Sequence, residues 1–170
     1  EKGISELIKS FKDSNLKDYV LNIIGTGPML KQLSDENQIY PNIRFYGEMD
    51  NSKVIEIIKS SKAVVTSTKM YEGQPTVLCE ASVNKVPSIF PNFGGISEFF
   101  PVDYDLSFKQ FDYEDLTQKF VYASKNDLYE YGSKNYEFLK SKLNDDFLIK
   151  RFNLLLEENE WLSISNYEYI

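Results

Sequence analysis

Two carboxylates, Glu72 and Glu80, bracket the stretch Glu72-Gly73-Gln74-Pro75-Thr76-Val77-Leu78-Cys79-Glu80-Ala81. Gly73 and Pro75 mark a loop that turns into a helix starting at Pro75. The start of such a helix leaves backbone N–H groups unpaired near Gln74, Thr76 and Val77, which suits a phosphate. On that helix Val77, Glu80 and Ala81 share one face, so Glu80 is expected among apolar neighbours beside the strand ends. A desolvated carboxylate needs partners. A vicinal diol is a good one, because two hydroxyls can donate to its two oxygens. The stretch therefore reads as a slot for a sugar–phosphate–ribose ligand. The plainer alternative makes Glu72 a charge that stabilises the helix dipole and Glu80 a solvated helix residue. A second candidate is the turn Gly25-Thr26-Gly27-Pro28. It is either an ordinary strand-to-helix turn or part of a dinucleotide fingerprint, G-x-G-x-x-G. The fingerprint's third glycine is replaced by Leu30, while Glu48 stands where a ribose-binding acid belongs.

The elements that must position these residues follow from apolar spacing. Ile4, Leu7, Ile8 and Phe11 predict an amphipathic helix over 3–13. Short β-branched runs predict strands over 19–24, 42–46, 62–67 and 86–90, each closed by a breaker or a loop. Between them, helices are predicted over 28–38, with Pro28 at its first position, and over 75–85. Another carries Val54, Ile55 and Ile58 and is capped by Asn51-Ser52. Gly94-Gly95 breaks the chain, 96–100 makes one helical turn, and 105–108 forms an edge strand. From 113 to 161 the pattern is helical, with breaks near Asn126 and Asn144. Alternating strands and helices imply a Rossmann-like α/β fold, a parallel sheet with helices on both faces. Its ligands bind beyond the carboxyl ends of the strands. That directs attention to the loops 25–28, 47–50 and 69–75. The expected organisation is one domain over 1–170: a sheet core over 1–112, helices over 113–162 and a tail over 163–170. Trp161 and the aromatic residues after it are expected to pack on the core.

Composition narrows the chemistry. The 170 residues carry 19 basic and 26 acidic side chains, a net charge of −7, which does not suit wrapping nucleic acid. Histidine is absent, which excludes Ser-His-Asp and Cys-His catalysis and histidine metal sites. Cys79 is the one cysteine, so there is no intrachain disulfide and no cysteine zinc site. A solitary thiol fits a reducing cytoplasm. No apolar run reaches the roughly 18 residues of a membrane span. The opening Glu1-Lys2-Gly3 has no lead-in, and the chain is expected to be part of a longer protein.

The stretch Glu-Gly-x-Pro-x-x-Leu-x-Glu-Ala resembles the E-x7-E signature of the retaining glycosyltransferases with the GT-B fold (glycosyl transferases group 1, family 4). The order of other motifs agrees. Leu21-Asn-Ile-Ile-Gly-Thr-Gly-Pro28 is similar to "L-x-I-x-G-x-G-P", and Ile43-Arg-Phe-Tyr-Gly47 to "V-x-F-x-G". Lys62-Ala-Val-Val-Thr-Ser67 resembles "A-D-V-x-V-x-P-S". Val86-Pro-Ser-Ile-Phe90 and Gly94-Gly-Ile-Ser-Glu98 resemble "G-x-P-V-I" and "G-G-x-x-E", and Lys2-Gly3 resembles an opening "K-G".

The resemblance implies a donor-binding domain that holds a nucleotide-diphosphate sugar, with a UDP-linked sugar expected. A hexosyl group would pass to a glycan or lipid-linked acceptor held by a second, N-terminal domain. It implies catalytic roles for Glu72, at the sugar hydroxyls, and Lys2, at the diphosphate. It implies donor binding by Glu80 at the ribose, and by Gly73 and the backbone of Gln74, Pro75, Thr76 and Val77 at the diphosphate. Gly47, Glu48 and Met49 would lie near the base, and Gly27 along the cleft. No metal or other cofactor is implied. The setting expected is cytoplasmic, peripheral to the membrane, in bacterial capsule or envelope polysaccharide synthesis. Other readings are an NAD-type module and a non-catalytic interaction domain. The sequence departs from the family pattern at Gln74-Pro75, Lys62 and Asn84-Lys85-Val86. The resemblance also places a strand with a catalytic arginine just before Lys2, central in the sheet. Without it the sheet is expected to open or to be filled by another segment.

Overall fold

The structure, a computed structural model, describes residues 1–158. The tail over 163–170 and Trp161 lie outside the described residues. Strands and helices alternate: α1 (Ile4–Asp13), β1 (Leu21–Ile24), α2 (Leu30–Glu36), β2 (Ile43–Gly47), α3 (Asn51–Ser60), β3 (Val64–Val65), α4 (Thr76–Val83) and β4 (Ser88–Pro91). A 3-10 turn (Ile96–Phe99) leads to β5 (Ser107–Phe108), and α5 (Tyr113–Lys125), α6 (Tyr129–Lys142) and α7 (Asp145–Glu158) follow. Among the described residues every strand pairing is parallel.

The sheet is in two pieces, β1-β2 and β3-β4-β5. Leu21 and Ile23 of β1 face Val64 and Val65 of β3 across a cavity of about 1060 Å³. Leu7 and Phe11 of α1 and Phe120 of α5 also line it. Both pieces share a core with α1 and α5, in which Phe11 meets Phe120 edge-on at 5.7 Å. On the other face Ile58 of α3 and Ala81 of α4 pack with Val86. Helices on both faces of parallel strands make this the expected α/β fold. Burial explains strand length. All four residues of β4 are buried, as a strand covered on both faces requires. Among the described residues β3 has a partner only in β4, and its ladder shrinks to two residues, although the Thr66 N–H still reaches the Ile89 carbonyl at 3.0 Å.

Several boundaries differ from the sequence reading. Pro28 lies in a turn, and α2 begins only at Leu30. Asn51 is the first residue of α3 rather than its cap, and Asp50 in the cap position makes no side-chain cap bond. At the departure Asn84-Lys85, Lys85 has φ 58°, a left-handed conformation that costs a side-chain-bearing residue about 1 kcal/mol.

Tyr104 completes the edge of β4 before β5 begins. In a parallel strand alternate residues address opposite neighbours. The Pro87 and Ile89 carbonyls accept from β3, so Ser88 faces the β5 side. There the Ser88 N–H donates to the Tyr104 hydroxyl (2.8 Å), which donates to the Ser88 carbonyl (2.6 Å). Burial pushes the Tyr104 phenol up to about 12, so it remains a donor through the physiological range. We expect Tyr104→Phe to destabilise the chain by about 1–3 kcal/mol in a urea melt, because a buried N–H and carbonyl lose their partner. A loss below about 0.5 kcal/mol contradicts this account of the β4 edge.

Candidate functional site

The loop from the end of β3 to α4 carries Glu72, and contacts with the start of the chain fix it. Ser67 and Thr68, both buried, follow the strand. The Ser67 hydroxyl donates to the Gly3 carbonyl at 2.8 Å and is 3.1 Å from that of Lys2. Gly3 turns the chain into α1 with φ 69°, and a Cβ there would stand 2.1 Å from the Ser67 carbonyl oxygen. Only glycine fits. The Lys69 N–H donates to the Glu1 carbonyl at 3.0 Å, so the start of the chain is held along the loop. Lys2 is thereby brought onto Glu72, and its Nζ pairs with Oε1. The buried Thr68 hydroxyl donates to the same oxygen at 3.3 Å.

Gly94 and Gly95 form the floor under this loop. The Gly95 N–H donates to the Glu72 carbonyl at 2.9 Å. A Cβ at Gly94 would lie 2.9 Å from the Glu72 carbonyl oxygen, and one at Gly95 2.9 Å from that of Gly73. The sequence reading had Gly94-Gly95 as a chain break and a family motif. Their place beneath the loop that carries Glu72 depends on a contact between segments distant in sequence.

Pro75 is buried before the first turn of α4. The Leu78 and Cys79 N–H groups both donate to its carbonyl at 3.0 Å. The Thr76 and Val77 amides precede them and have no carbonyl behind them in the helix. Gln74, Pro75, Thr76 and Val77 line the same cavity as Lys2 and Glu72. Glu48, Met49, Gly25 and Thr26 line it from the ends of β1 and β2. The cavity thus runs from the apolar gap between the sheet pieces to a polar mouth at their carboxyl ends.

Four expected residues do not line this cavity: Gly27, Gly47, Gly73 and Glu80. The face of α4 is also turned from the one expected. Leu78, Ala81 and Ser82 are buried, whereas Val77 is 41% exposed and Glu80 half-buried at the edge. Leu78 wins the inward position because it packs with Phe90, Ile96 and Phe100. Glu80 has a polar neighbour instead: the Asn51 side-chain amide donates to its Oε1 at 3.2 Å. Lys62, a departure from the family pattern, donates to the Asn126 carbonyl at 2.8 Å and ties the approach to β3 to the end of α5.

The arrangement shares its α/β fold with the GT-B glycosyltransferases. A crystal structure of TarM superposes with a TM-score of 0.78 at 21% identity, over 91% of this chain and 32% of that one. The catalytic domain of cholesterol-alpha-glucosyltransferase from Helicobacter pylori gives 0.70 at 26% identity, over 85% of this chain and 91% of that one. The sequence profile of glycosyl transferases group 1 matches residues 1–142, and the chain belongs to that family. A putative teichuronic acid biosynthesis glycosyltransferase, TuaC of Bacillus subtilis (strain 168), is 32% identical over 112 residues. That match covers 64% of this chain and 26% of the relative, so it spans about a quarter of TuaC.

Cys79 offers a clean probe beside Glu80. Burial pushes its thiol up, and the adjacent Glu80 charge pushes it further. The thiolate is the reactive form. We expect iodoacetamide to modify Cys79 more slowly at pH 8 than a free thiol, with the rate still rising above pH 9. Glu80→Gln should shift that profile to lower pH. A profile unchanged by Glu80→Gln contradicts the effect of the Glu80 charge on the thiol.

Proposed function

We propose that this chain binds a nucleotide-diphosphate sugar at the carboxyl ends of its strands and that the whole protein transfers the glycosyl group with retention. The observation that carries this reading is the convergence of Lys2, Glu72 and the start of α4 on one cavity. In it Glu72 accepts hydroxyls of the transferred sugar. Lys2 gives up Glu72 for the diphosphate, with the Thr76 and Val77 amides opposite it. Negative charge grows on the leaving diphosphate as the glycosidic bond breaks, and a cation and amides already in place stabilise that charge without reorganisation. Glu80, beside the cavity rather than in its lining, holds the ribose, and Glu48 and Met49, which line the cavity, lie toward the base next to Gly47. No resident metal or cofactor is part of the proposal.

The acceptor is assigned to an N-terminal domain of the same protein, which makes the 170-residue chain alone a weak donor binder without measurable turnover. A cell-envelope polysaccharide is the proposed product class, supported by the name of TuaC. A TarM mutant from S. aureus was crystallised with Fondaparinux, alpha-GlcNAc-glycerol and UDP, and this supports a uridine nucleotide. Among the described residues no helix is long and apolar enough to cross a membrane. The dinucleotide reading is weakened by the delayed start of α2, which leaves the Gly25–Gly27 turn without a helix N-terminus directly behind it.

The test uses the whole protein and a panel of nucleotides. At about 100 times Kd, UDP should stabilise the fold by about 2.7 kcal/mol and raise Tm accordingly. NADH should leave Tm unchanged. Glu72→Gln should cut sugar transfer by about 100-fold or more while UDP affinity changes far less. Lys2→Ala should weaken UDP itself. Stabilisation by NADH with none from nucleoside diphosphates would overturn the proposal.

A further inference from the structure

Asn51 is a residue for which neither the sequence reading nor the family motifs supply a ligand role. Its expected task was to cap α3. The structure gives it another partner, since its amide Nδ2 donates to Glu80 Oε1 at 3.2 Å across 29 residues of sequence. The contact is built into the packing of two helices. Asn51, Val54, Ile55 and Ile58 recur at the spacing of one helical stripe. Val54, Ile55 and Ile58 of that stripe pack with Ala81, the neighbour of Glu80 on α4. The same apolar contact that holds α3 on α4 therefore sets Asn51 over Glu80. Asn51 also directly follows the loop 47–50, at the side of the cleft assigned to the base.

We propose that Asn51 is a positioning residue for nucleotide recognition: its amide fixes the Glu80 carboxylate so that the remaining lone pairs face a vicinal diol. This rests on the reading that Glu80 holds the ribose. A carboxylate has about four acceptor positions. The amide occupies one on Oε1 and removes the rotation that would average the others. Two ribose hydroxyls then meet a preset pair of acceptors. The result is discrimination between ribose and deoxyribose, because a nucleotide lacking one hydroxyl leaves an oriented acceptor unpaired.

The experiment measures UDP and 2′-deoxy-UDP, and GDP and 2′-deoxy-GDP, by calorimetry on the whole protein. It compares wild type, Glu80→Gln, Asn51→Ala and Asn51→Ser. Far-UV circular dichroism melts confirm folding of each. Wild type should prefer the ribonucleotide by roughly tenfold or more, the size of a hydrogen bond to a charged group. Glu80→Gln should erase the preference. Asn51→Ala should reduce it to about threefold or less. Asn51→Ser, which keeps a donor, should restore part of it. General loss of packing would weaken both nucleotides equally and leave the ratio intact. An intact ratio in Asn51→Ala, with the ratio lost in Glu80→Gln, overturns the role of Asn51 and leaves that of Glu80. An intact ratio in Glu80→Gln, or binding of neither nucleotide pair by wild type, removes the reading of Glu80 and the role of Asn51 together.

Discussion

The site depends on one backbone contact. The Gly95 N–H reaches the Glu72 carbonyl from a floor where neither Gly94 nor Gly95 has room for a Cβ. Glu72 is held from below by that bond. Its side chain is met by Lys2 and Thr68. Lys2 is there only because Gly3 takes a left-handed turn against the Ser67 carbonyl. Three segments far apart in sequence are thus locked around one carboxylate by close backbone approaches. Such approaches tolerate little displacement, because removing a side chain is the only way to make the room.

The split sheet gives this arrangement its setting. Parallel strands carry their ligands at their carboxyl ends, and here those ends stand on either side of an apolar opening. β1 and β2 contribute Gly25, Thr26, Glu48 and Met49 to the cavity, and the loop after β3 contributes Glu72 and Gln74. The opening lies between β1 and β3, and α1 and α5 span both pieces with a continuous core. The lining is therefore apolar where it meets the strands and includes Lys2, Glu48, Glu72 and Gln74 at their carboxyl ends. In the proposed reading the diphosphate sits at the carboxyl ends, where α4 begins.

Much of this was legible in the sequence. Ile4, Leu7, Ile8 and Phe11 specify α1 within a residue, and the apolar run before Gly25 marks β1, because burial on one stripe or one strand is a local pattern. The breaks near Asn126 and Asn144 likewise separate α5, α6 and α7. What local pattern misses is phase and pairing between elements. The rotation of α4 is set by Leu78 packing with Phe90 and Phe100, so Val77 faces outward and Glu80 reaches the helix edge. Asn51 has the chemistry of a cap, and only the docking of α3 on α4 shows that its amide is turned to Glu80. The shortness of β3 reflects a partner on one edge only among the described residues, which no property of residues 62–67 reveals.

A structure of the whole protein with a bound, unhydrolysed uridine-diphosphate sugar tests the central claim most directly. The account predicts the sugar hydroxyls on Glu72, the ribose on Glu80, and the Lys2 ammonium moved from Glu72 to the diphosphate. A nucleotide sugar seated elsewhere, with the Lys2–Glu72 pair undisturbed, would contradict it.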